Sequence, residues 1–398
     1  MQQNLTVIIG GGAAGICAAI ATARRGCPVI ICEKTPYLGK KILATGNGRC
    51  NLLNDDLNEQ HFNLAARSLV RSVFDRYGKT DILNFFKNLG VEVYSQDGRI
   101  FPLTNQAASV LKALELELKR LGVPVEYGFD CNAVTKTSAS LVVSSRSGKR
   151  IECTKIILAG GGKTYPSFGA DGSAFSLARQ LGHTIVEPVP SAVPLVLKDN
   201  LCHQLQGQRI FASAQTVING KPGESVSGEL LFTKYGLSGT CILDVSREIS
   251  VALNRDNYND IELSVDLVPF MDGPGLCLEL ERRLNLGLQP EDMLTGILPN
   301  KFGPALQELF APLRNLETVV RSIKDRRFKV SGTRGWNEAE FTSGGIDVSE
   351  VNENTLESRL FPGVYFAGEV LDVDGRRGGY NLAWAWASGM AAGDLQTS

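Results

Sequence analysis

The chain has 398 residues, 43% of them hydrophobic, and a formal net charge of −1 at pH 7. That length gives room for two or three domains with ordinary packed cores, and the near-zero charge removes any global attraction to nucleic acid or an anionic membrane, leaving only local patches. Nine scattered cysteines with no C-x-x-C pair, and only three histidines, exclude a disulfide framework and a metal-ligand spacing and point to reduced thiols.

The first predicted element is Val7-Ile8-Ile9, an uninterrupted apolar run that suits a buried parallel strand. Gly10, Gly12 and Gly15 follow in the G-x-G-x-x-G spacing and open a small-residue helix, Ile16 to Arg25, that stops at Gly26. The second strand, Val29 to Cys32, ends on Glu33. This is the dinucleotide-binding arrangement: tight turn at Gly10, bare backbone for a pyrophosphate at Gly12, close helix packing at Gly15, and a carboxylate at Glu33 for the adenosine ribose. Glu33 also argues against a 2′-phosphate, which it would repel. The fingerprint starts too near Met1 for a signal peptide, and no apolar run of about eighteen residues occurs, so a cytoplasmic protein is expected.

The basic, glycine-rich stretch from Gly39 to Asn51 is too polar for core and is expected to reach the cofactor beyond its pyrophosphate. Residues 64–90 show helical spacing, Gly98-Arg99-Ile100-Phe101-Pro102 is a turn into a short extended segment, and Ala107 to Leu121 is an amphipathic helix. Strands are expected at Val123 to Tyr127 and in a meander from Cys131 to Cys153. Ile156 to Ala159 is another buried strand ending in Gly160-Gly161-Gly162. It fails as a second fingerprint, because Tyr165 stands where a third glycine belongs and Pro166 and Gly169 block an immediate helix. A nicotinamide cofactor therefore has no evident domain of its own. A helix resumes from Asp171 to Leu181.

From Ser191 the pattern turns β-rich, with strands expected at Val193 to Leu197, Ile210 to Val217, Glu229 to Phe232, Thr240 to Val245 and Ile261 to Val265. Helices are expected at Leu276 to Leu284 and Pro290 to Leu313, before β character returns at Phe328 to Val330. The predicted domains are 1–190 with 334–398, an inserted β-rich domain at 191–270, and a small helical unit at 271–333. The C-terminal part repeats strand, glycine turn, helix: Gly363 to Asp372, Gly375 to Asn381, then Leu382 to Leu395. Glu369, with Asp372 as the alternative, is placed to accept a flavin's ribityl hydroxyls, and the N–H groups of Asn381 and Leu382 to face N1 and the C2 carbonyl. Half-sites at both ends of the chain indicate FAD rather than NAD, which needs only the first.

Three stretches carry a resemblance: Thr45-Gly46-Asn47-Gly48-Arg49-Cys50-Asn51, Phe232 to Gly239, and Gly368-Glu369-Val370-Leu371-Asp372 with Gly378-Gly379-Tyr380-Asn381. On these the chain resembles the BaiN/RdsA (YhiN-like) family of NAD(P)/FAD-dependent oxidoreductases, over essentially its whole length. The resemblance implies non-covalent FAD in an α/β, Rossmann-like and discontinuous FAD-binding fold, with an inserted β-rich domain and a small helical unit. It also implies one of three activities: reduction of a C=C bond in a uracil of ribosomal RNA, reduction of unsaturated oxo-bile acids, or oxidation of aminoacetone. Asp374-Gly375-Arg376-Arg377 is more basic than this loop usually is in the family.

The expected cofactor contacts are Gly10, Gly12, Ala13, Ala14, Gly15, Glu33 and Lys34; Lys40, Lys41, Thr45, Gly46, Gly48, Arg49, Cys50 and Asn51; Val134; Ala159, Gly160, Gly161 and Tyr165; and Gly368, Glu369, Asp372, Gly379, Tyr380, Asn381 and Leu382. Cys50 is the candidate proton donor, because a thiol beside Arg49 would have a lowered pKa; the alternative is a packing residue against the cofactor. Tyr165 and Tyr380 are further acid or stacking candidates. The leading expectation is an FAD-dependent oxidoreductase that takes electrons transiently from NADH or NADPH and reduces a conjugated C=C bond, with an RNA uracil favoured. For that substrate Arg321, Lys324, Arg326, Arg327 and Lys329, together with Arg376 and Arg377, are placed to meet phosphates; the alternative for the run is a solvated face. An amine oxidase producing peroxide, and a non-catalytic RNA-binding factor stabilised by FAD, are the competing readings.

Overall fold

The computed structural model describes residues 4–138, 140–310 and 315–394. The chain divides into two compact units, one formed by the residues up to Pro188 together with those from Phe341 onward, the other by Val189–Glu340.

In the first unit β1 (Thr6–Ile9), α1 (Ala13–Arg24) and β2 (Val29–Glu33) form the opening βαβ. Strand β1 is fully buried, as a strand covered on both faces must be, and pairs in parallel with β2. Helix α2 (Lys40–Ala44), the two-residue strand β3 (Leu53–Asn54), α3 (Arg67–Phe74) and α4 (Lys79–Asn88) follow. The 64–90 stretch thus splits into two helices, separated at Gly78, the residue before α4. Strands β4 (Val93–Gln96) and β5 (Arg99–Pro102) make a hairpin that extends β3 into a small sheet. Helix α5 (Ala107–Arg120) leads to β6 (Val125–Tyr127), a meander of β7 (Cys131–Lys136), β8 (Leu141–Ser145) and β9 (Arg150–Cys153), then β10 (Lys155–Leu158), α6 (Ser173–Gln180) and the exit strand β11 (Ile185–Ser191).

The second unit centres on a closed six-stranded barrel. Its strands are β12 (Leu195–Leu197), β13 (Arg209–Ile218), β14 (Lys221–Thr233), β15 (Gly236–Ser238), β16 (Ile261–Asp266) and β17 (Arg326–Thr333), joined in the order β12-β15-β14-β13-β16-β17. Burial alternates along β16, the inward side chains filling the barrel. Helices α7 (Asn200–Gln204), α8 (Thr240–Asn254), α9 (Gly273–Asn285), α10 (Phe302–Leu306) and α11 (Leu316–Lys324) complete it. Two expectations are corrected. Thr240 to Val245 begins a helix, not a strand: Cys241, Ile242, Val245, Ser246 and Ile249 are buried at helical spacing, a period that six residues are too few to reveal. The continuous helix expected at Pro290 to Leu313 is instead a 3-10 turn at Pro290–Asp292, the short α10 and a second turn at Gln307–Phe310; Leu313 lies outside the described residues. Strand β17, which closes the barrel, also runs through the segment assigned from sequence to the helical unit.

The chain re-enters the first unit as β18 (Phe341–Ile346), which pairs with β11, followed by β19 (Val364–Phe366) and α12 (Tyr380–Gly393). The central sheet has the order β19-β10-β1-β2-β6, all parallel. Two chain segments far apart in sequence therefore build one sheet. Helix α12 packs on α1 at van der Waals closeness, since a Cβ on Gly389 or Gly393 would stand 2.3 Å from the carbonyl oxygen of Ala14 or Ala18.

Candidate dinucleotide-binding site

The carboxyl ends of β1, β2, β10 and β19, and the N-termini of α1 and α12, bring most of the expected residues to one side of the first unit. The fingerprint turn is tightly constrained. Gly10 has φ +106°, and a Cβ there would meet the Ala159 carbonyl oxygen at 2.6 Å; one on Gly15 would meet the Gly10 carbonyl oxygen at 1.9 Å. At Gly12, by contrast, nothing lies within 4 Å of a Cβ position. Two glycines are filled by backbone and the middle one faces open space, as bare-backbone approach by a pyrophosphate requires. Helix α1 has no side-chain cap, so its first N–H groups, those of Ala13 and Ala14 included, are available to an anion.

Glu33 is half-buried at the end of β2 and accepts N–H groups from Gly11 on Oε2 and Thr35 on Oε1, both at 2.7 Å. Each oxygen keeps a lone pair for a ribose hydroxyl. Lys34 pairs with Asp171 at 2.7 Å and reaches Ser173 at 3.1 Å, joining β2 to the start of α6. Val134 lies on β7, whose outer edge is unpaired in its sheet. Gly160 presses on Ala174, while Gly161 takes φ +73°. Tyr165, at φ +55°, stacks on Phe168 with centroids 5.4 Å apart.

The Gly39 to Asn51 stretch is α2 followed by a turn with a run of left-handed residues: Gly46, Asn47, Gly48 and Cys50 have φ +58°, +55°, +82° and +60°. Left-handed Asn47 and Cys50 carry strain of the kind found at ligand loops. Lys40 lies 6.0 Å over the Tyr37 ring. Lys41 is tied to Glu369 Oε2 and to the Thr164 hydroxyl, both at 2.5 Å. Glu369 Oε1 accepts the Thr342 N–H at 2.7 Å and the Thr164 hydroxyl at 3.4 Å. Lys41, Glu369, Thr164 and Thr342 thus form one knot joining four chain segments. Much of the accepting capacity expected of Glu369 toward ribityl hydroxyls is committed inside the protein. Asp372 is buried, with its backbone held by Ile346 and Asn63. The threonines carry no sequence signal of their own; Thr342 packs so closely on Gly162 that a Cβ there would come 2.3 Å from its Oγ1.

The lowered thiol pKa expected at Cys50 is not found. The side chain is fully buried, and burial pushes its thiol up to about 12, offset only in part by a hydrogen bond with Thr45. Arg49 does not lower it, because its guanidinium turns away to lie 4.4 Å over the Phe101 ring.

Helix α12 starts after Gly379 (φ +103°) with no side-chain cap, leaving the N–H groups of Tyr380, Asn381 and Leu382 at its positive end. The Asn381 amide clasps the Gly375 N–H and carbonyl at 2.8 and 2.9 Å, fixing the loop before the helix. Tyr380 is buried, its ring 4.5 Å from that of His61. A Cβ on Gly368 would stand 2.8 Å from that of Ala14, placing the C-terminal half-site against the fingerprint helix. FAD fits this donor set: two uncapped helix N-termini, an open Gly12, and carboxylates at the ends of β2 and just after β19.

The basic run is in acidic company. Lys324 pairs with Asp266 at 2.6 Å, Arg326 with Asp199 at 3.1 Å, and Arg327 with Asp325 at 2.6 Å and Glu262 at 3.5 Å. Arg321 and Lys329 are exposed, and Arg376 is exposed with its N–H on the His61 carbonyl. Among the described residues no group of three or more His, Cys, Asp or Glu side chains is gathered to hold a metal, and no helix is long and apolar enough to cross a membrane.

Fold and site together define a Rossmann-type FAD-binding fold with additional β-rich and helical regions. The chain belongs to the HI0933-like family, whose Rossmann-domain profile matches residues 4–395. It is 38% identical, over 98% of both chains, to a 3-dehydro-bile acid delta(4,6)-reductase from Clostridium scindens. It is 28% identical to a ribosomal RNA dihydrouridine synthase from Escherichia coli, over 98% of this chain and 97% of that one, and 29% identical to the Haemophilus influenzae protein of that name, over 98% of both. Among solved structures, 3-ketosteroid delta1-dehydrogenase from Sterolibacterium denitrificans shares the fold at a TM-score of 0.50 and 13% identity, over 98% of this chain and 99% of that one.

Proposed function

We propose that the chain is an FAD-dependent oxidoreductase that reduces a conjugated carbon–carbon double bond, with NADH or NADPH as transient electron donor. The observation that carries the reading is a dinucleotide cradle, filled at Gly10 and Gly15 and open at Gly12, in a chain that aligns over nearly its whole length with a relative named as a delta(4,6)-reductase. FAD, when bound, supplies hydride transfer at N5. The chain's own part is binding and orientation. The N-terminus of α1 holds the pyrophosphate, and Glu33 accepts ribose hydroxyls. The Lys41–Glu369 knot fixes the loops around the ribityl chain, and the N-terminus of α12 offers partial positive charge to an anionic ring edge. The Gly160-Gly161-Gly162 strand end leads into a turn at Pro166–Phe168 instead of a helix, which agrees with a nicotinamide donor that visits rather than resides.

The names of the Escherichia coli and Haemophilus influenzae relatives favour a second substrate, a uracil of ribosomal RNA. The acidic partners of Lys324, Arg326 and Arg327 weigh against that run as a phosphate contact, because RNA would have to displace them. The test is to release the flavin and identify it by its spectrum, then to follow anaerobic bleaching by NADH and by NADPH. Bleaching that a conjugated enone reverses supports the proposal. No bleaching, or rapid reoxidation in air with peroxide formed on an amine substrate, rejects it.

A further inference from the structure

The sequence offers three proton donors, Cys50, Tyr165 and Tyr380, and the fold separates them. The Cys50 thiol is enclosed and firmly protonated. Tyr165 opens the turn whose Gly169 packs on Lys34 and Thr35, a Cβ there falling 2.9 Å from Thr35 Cγ2, so it stands at the ribose end of the cradle, near Glu33. Tyr380 is the first residue of α12, at the helix end assigned to the flavin ring. Its own ring is clamped. It lies 4.5 Å from the ring of His61, itself tied to Asp56 at 2.8 Å, and edge-on to Phe62 at 6.2 Å. Its Cβ stands 2.8 Å from the point a Cβ on Gly375 would occupy. The residue is only 6% exposed, yet among the described residues no hydrogen bond engages its hydroxyl, which is not sealed from solvent either.

A buried tyrosine ordinarily gives its O–H a protein partner. Here the ring is fixed and the one polar atom is left open at the α12 turn. Burial, and then Asp56, push its pKa above the ordinary value, with Arg376 and Arg99 pulling the other way. The hydroxyl therefore carries its proton at neutral pH and has two cations near enough to steady the phenolate that donation would leave. We propose that the Tyr380 hydroxyl is the general acid of the reduction, in contact with the acceptor. The inference rests on the C=C reductase reading and adds the proton to it. One carbon of the conjugated bond takes a hydride, its two electrons supplied by NAD(P)H by way of the flavin. The Tyr380 O–H bond breaks, a C–H bond forms at the neighbouring carbon, and the phenolate recovers a proton from water. The role is the same for any double bond conjugated to a carbonyl, an enone or a uracil alike.

The experiment compares the FAD-loaded wild-type protein with Tyr380→Phe, a change that removes one unpartnered atom and keeps the helix N–H group. Each protein is given NADH or NADPH anaerobically with one of two acceptors, a 3-oxo steroid bearing a conjugated C=C bond or 1-nitrocyclohexene. The nitroalkene can take hydride and leave as a stable nitronate anion, so its reduction needs no proton at carbon. Tyr380→Phe should keep its flavin content, its bleaching by NAD(P)H and its nitroalkene reduction within a few-fold of wild type. It should lose roughly a hundredfold or more in turnover of the steroid, and should release the nitronate where the wild type releases the nitroalkane. Steroid turnover within a few-fold of wild type overturns the proposal. So does an equal loss on both acceptors, which would make the hydroxyl a positioning group, or release of the same nitro product by both proteins. A wild-type protein that reduces neither acceptor rejects the reductase reading itself, and the proposal falls with it.

Discussion

Cys50 shows how the same residue changes meaning between sequence and structure. Beside Arg49 in the chain it has a cationic neighbour; in the fold Arg49 turns onto Phe101, and the thiol is enclosed with its pKa raised to about 12. A thiol that holds its proton so firmly and has no exposed surface is a poor proton donor. Cys50→Ser should therefore bleach with NAD(P)H and turn over within a few-fold of wild type, and the native protein should leave this thiol unlabelled by iodoacetamide at neutral pH. A loss of a hundredfold or more in turnover with intact flavin content would restore a chemical role. The Gly10, Gly12, Gly15 and Glu33 positions were legible because they obey local rules of turn, helix start and strand end. The Lys41–Glu369–Thr164–Thr342 knot was not, since its members are brought together only by the pairing of strands distant in sequence.

At the scale of elements, α1 is the hub. Its small residues face α12, and its end faces α5, where Arg24 pairs with Glu117 at 2.8 Å. Gly389→Ala would set a methyl group 2.3 Å from the Ala14 carbonyl oxygen and 3.0 Å from Ala14 Cα, atoms that cannot rotate away. The expected cost is roughly 1–3 kcal/mol, read as a fall of several degrees in melting temperature together with weakened flavin retention, because both uncapped N-termini shift. An unchanged melting temperature would mean that the helices are free to part. Glu117 supplies the pH dependence. Arg120, and then Arg24, hold its carboxyl at about 2, against an ordinary value of 4.5. Its folded pKa is depressed, so its contribution is full above pH 4.5 and is lost as pH falls toward 2. Urea midpoints measured between pH 6 and pH 3 should drop more steeply in the wild type than in Glu117→Gln; parallel slopes would remove this pair from the account. The α8 segment marks the limit of sequence reading at this scale: Thr240 to Val245 alternates well enough for a strand, and only the further run to Asn254 shows the helical period.

At the scale of the whole molecule, the alternating strands and the return of the chain to the central sheet were legible, whereas barrel closure was not. The order β12-β15-β14-β13-β16-β17 makes strands far apart in sequence neighbours, at Leu195 and Thr333 among others, a pairing that no local pattern encodes. The consequence is two hydrophobic cores without a shared residue, one running from Val7 to Leu181 and from Ile346 to Ala392, the other from Leu195 to Val330. Every residue assigned to the FAD cradle belongs to the first unit. A ligand stabilises only the cooperative unit whose native form it binds, by about 2.7 kcal/mol at a hundredfold excess over its dissociation constant. Calorimetry of the flavin-free protein should thus resolve two transitions, and added FAD should raise one and leave the other in place. Gly389→Ala should lower the transition that FAD raises. A single transition that FAD moves as a whole would show instead that the units unfold as one, and would transfer the effect of any substitution in the barrel directly to cofactor retention.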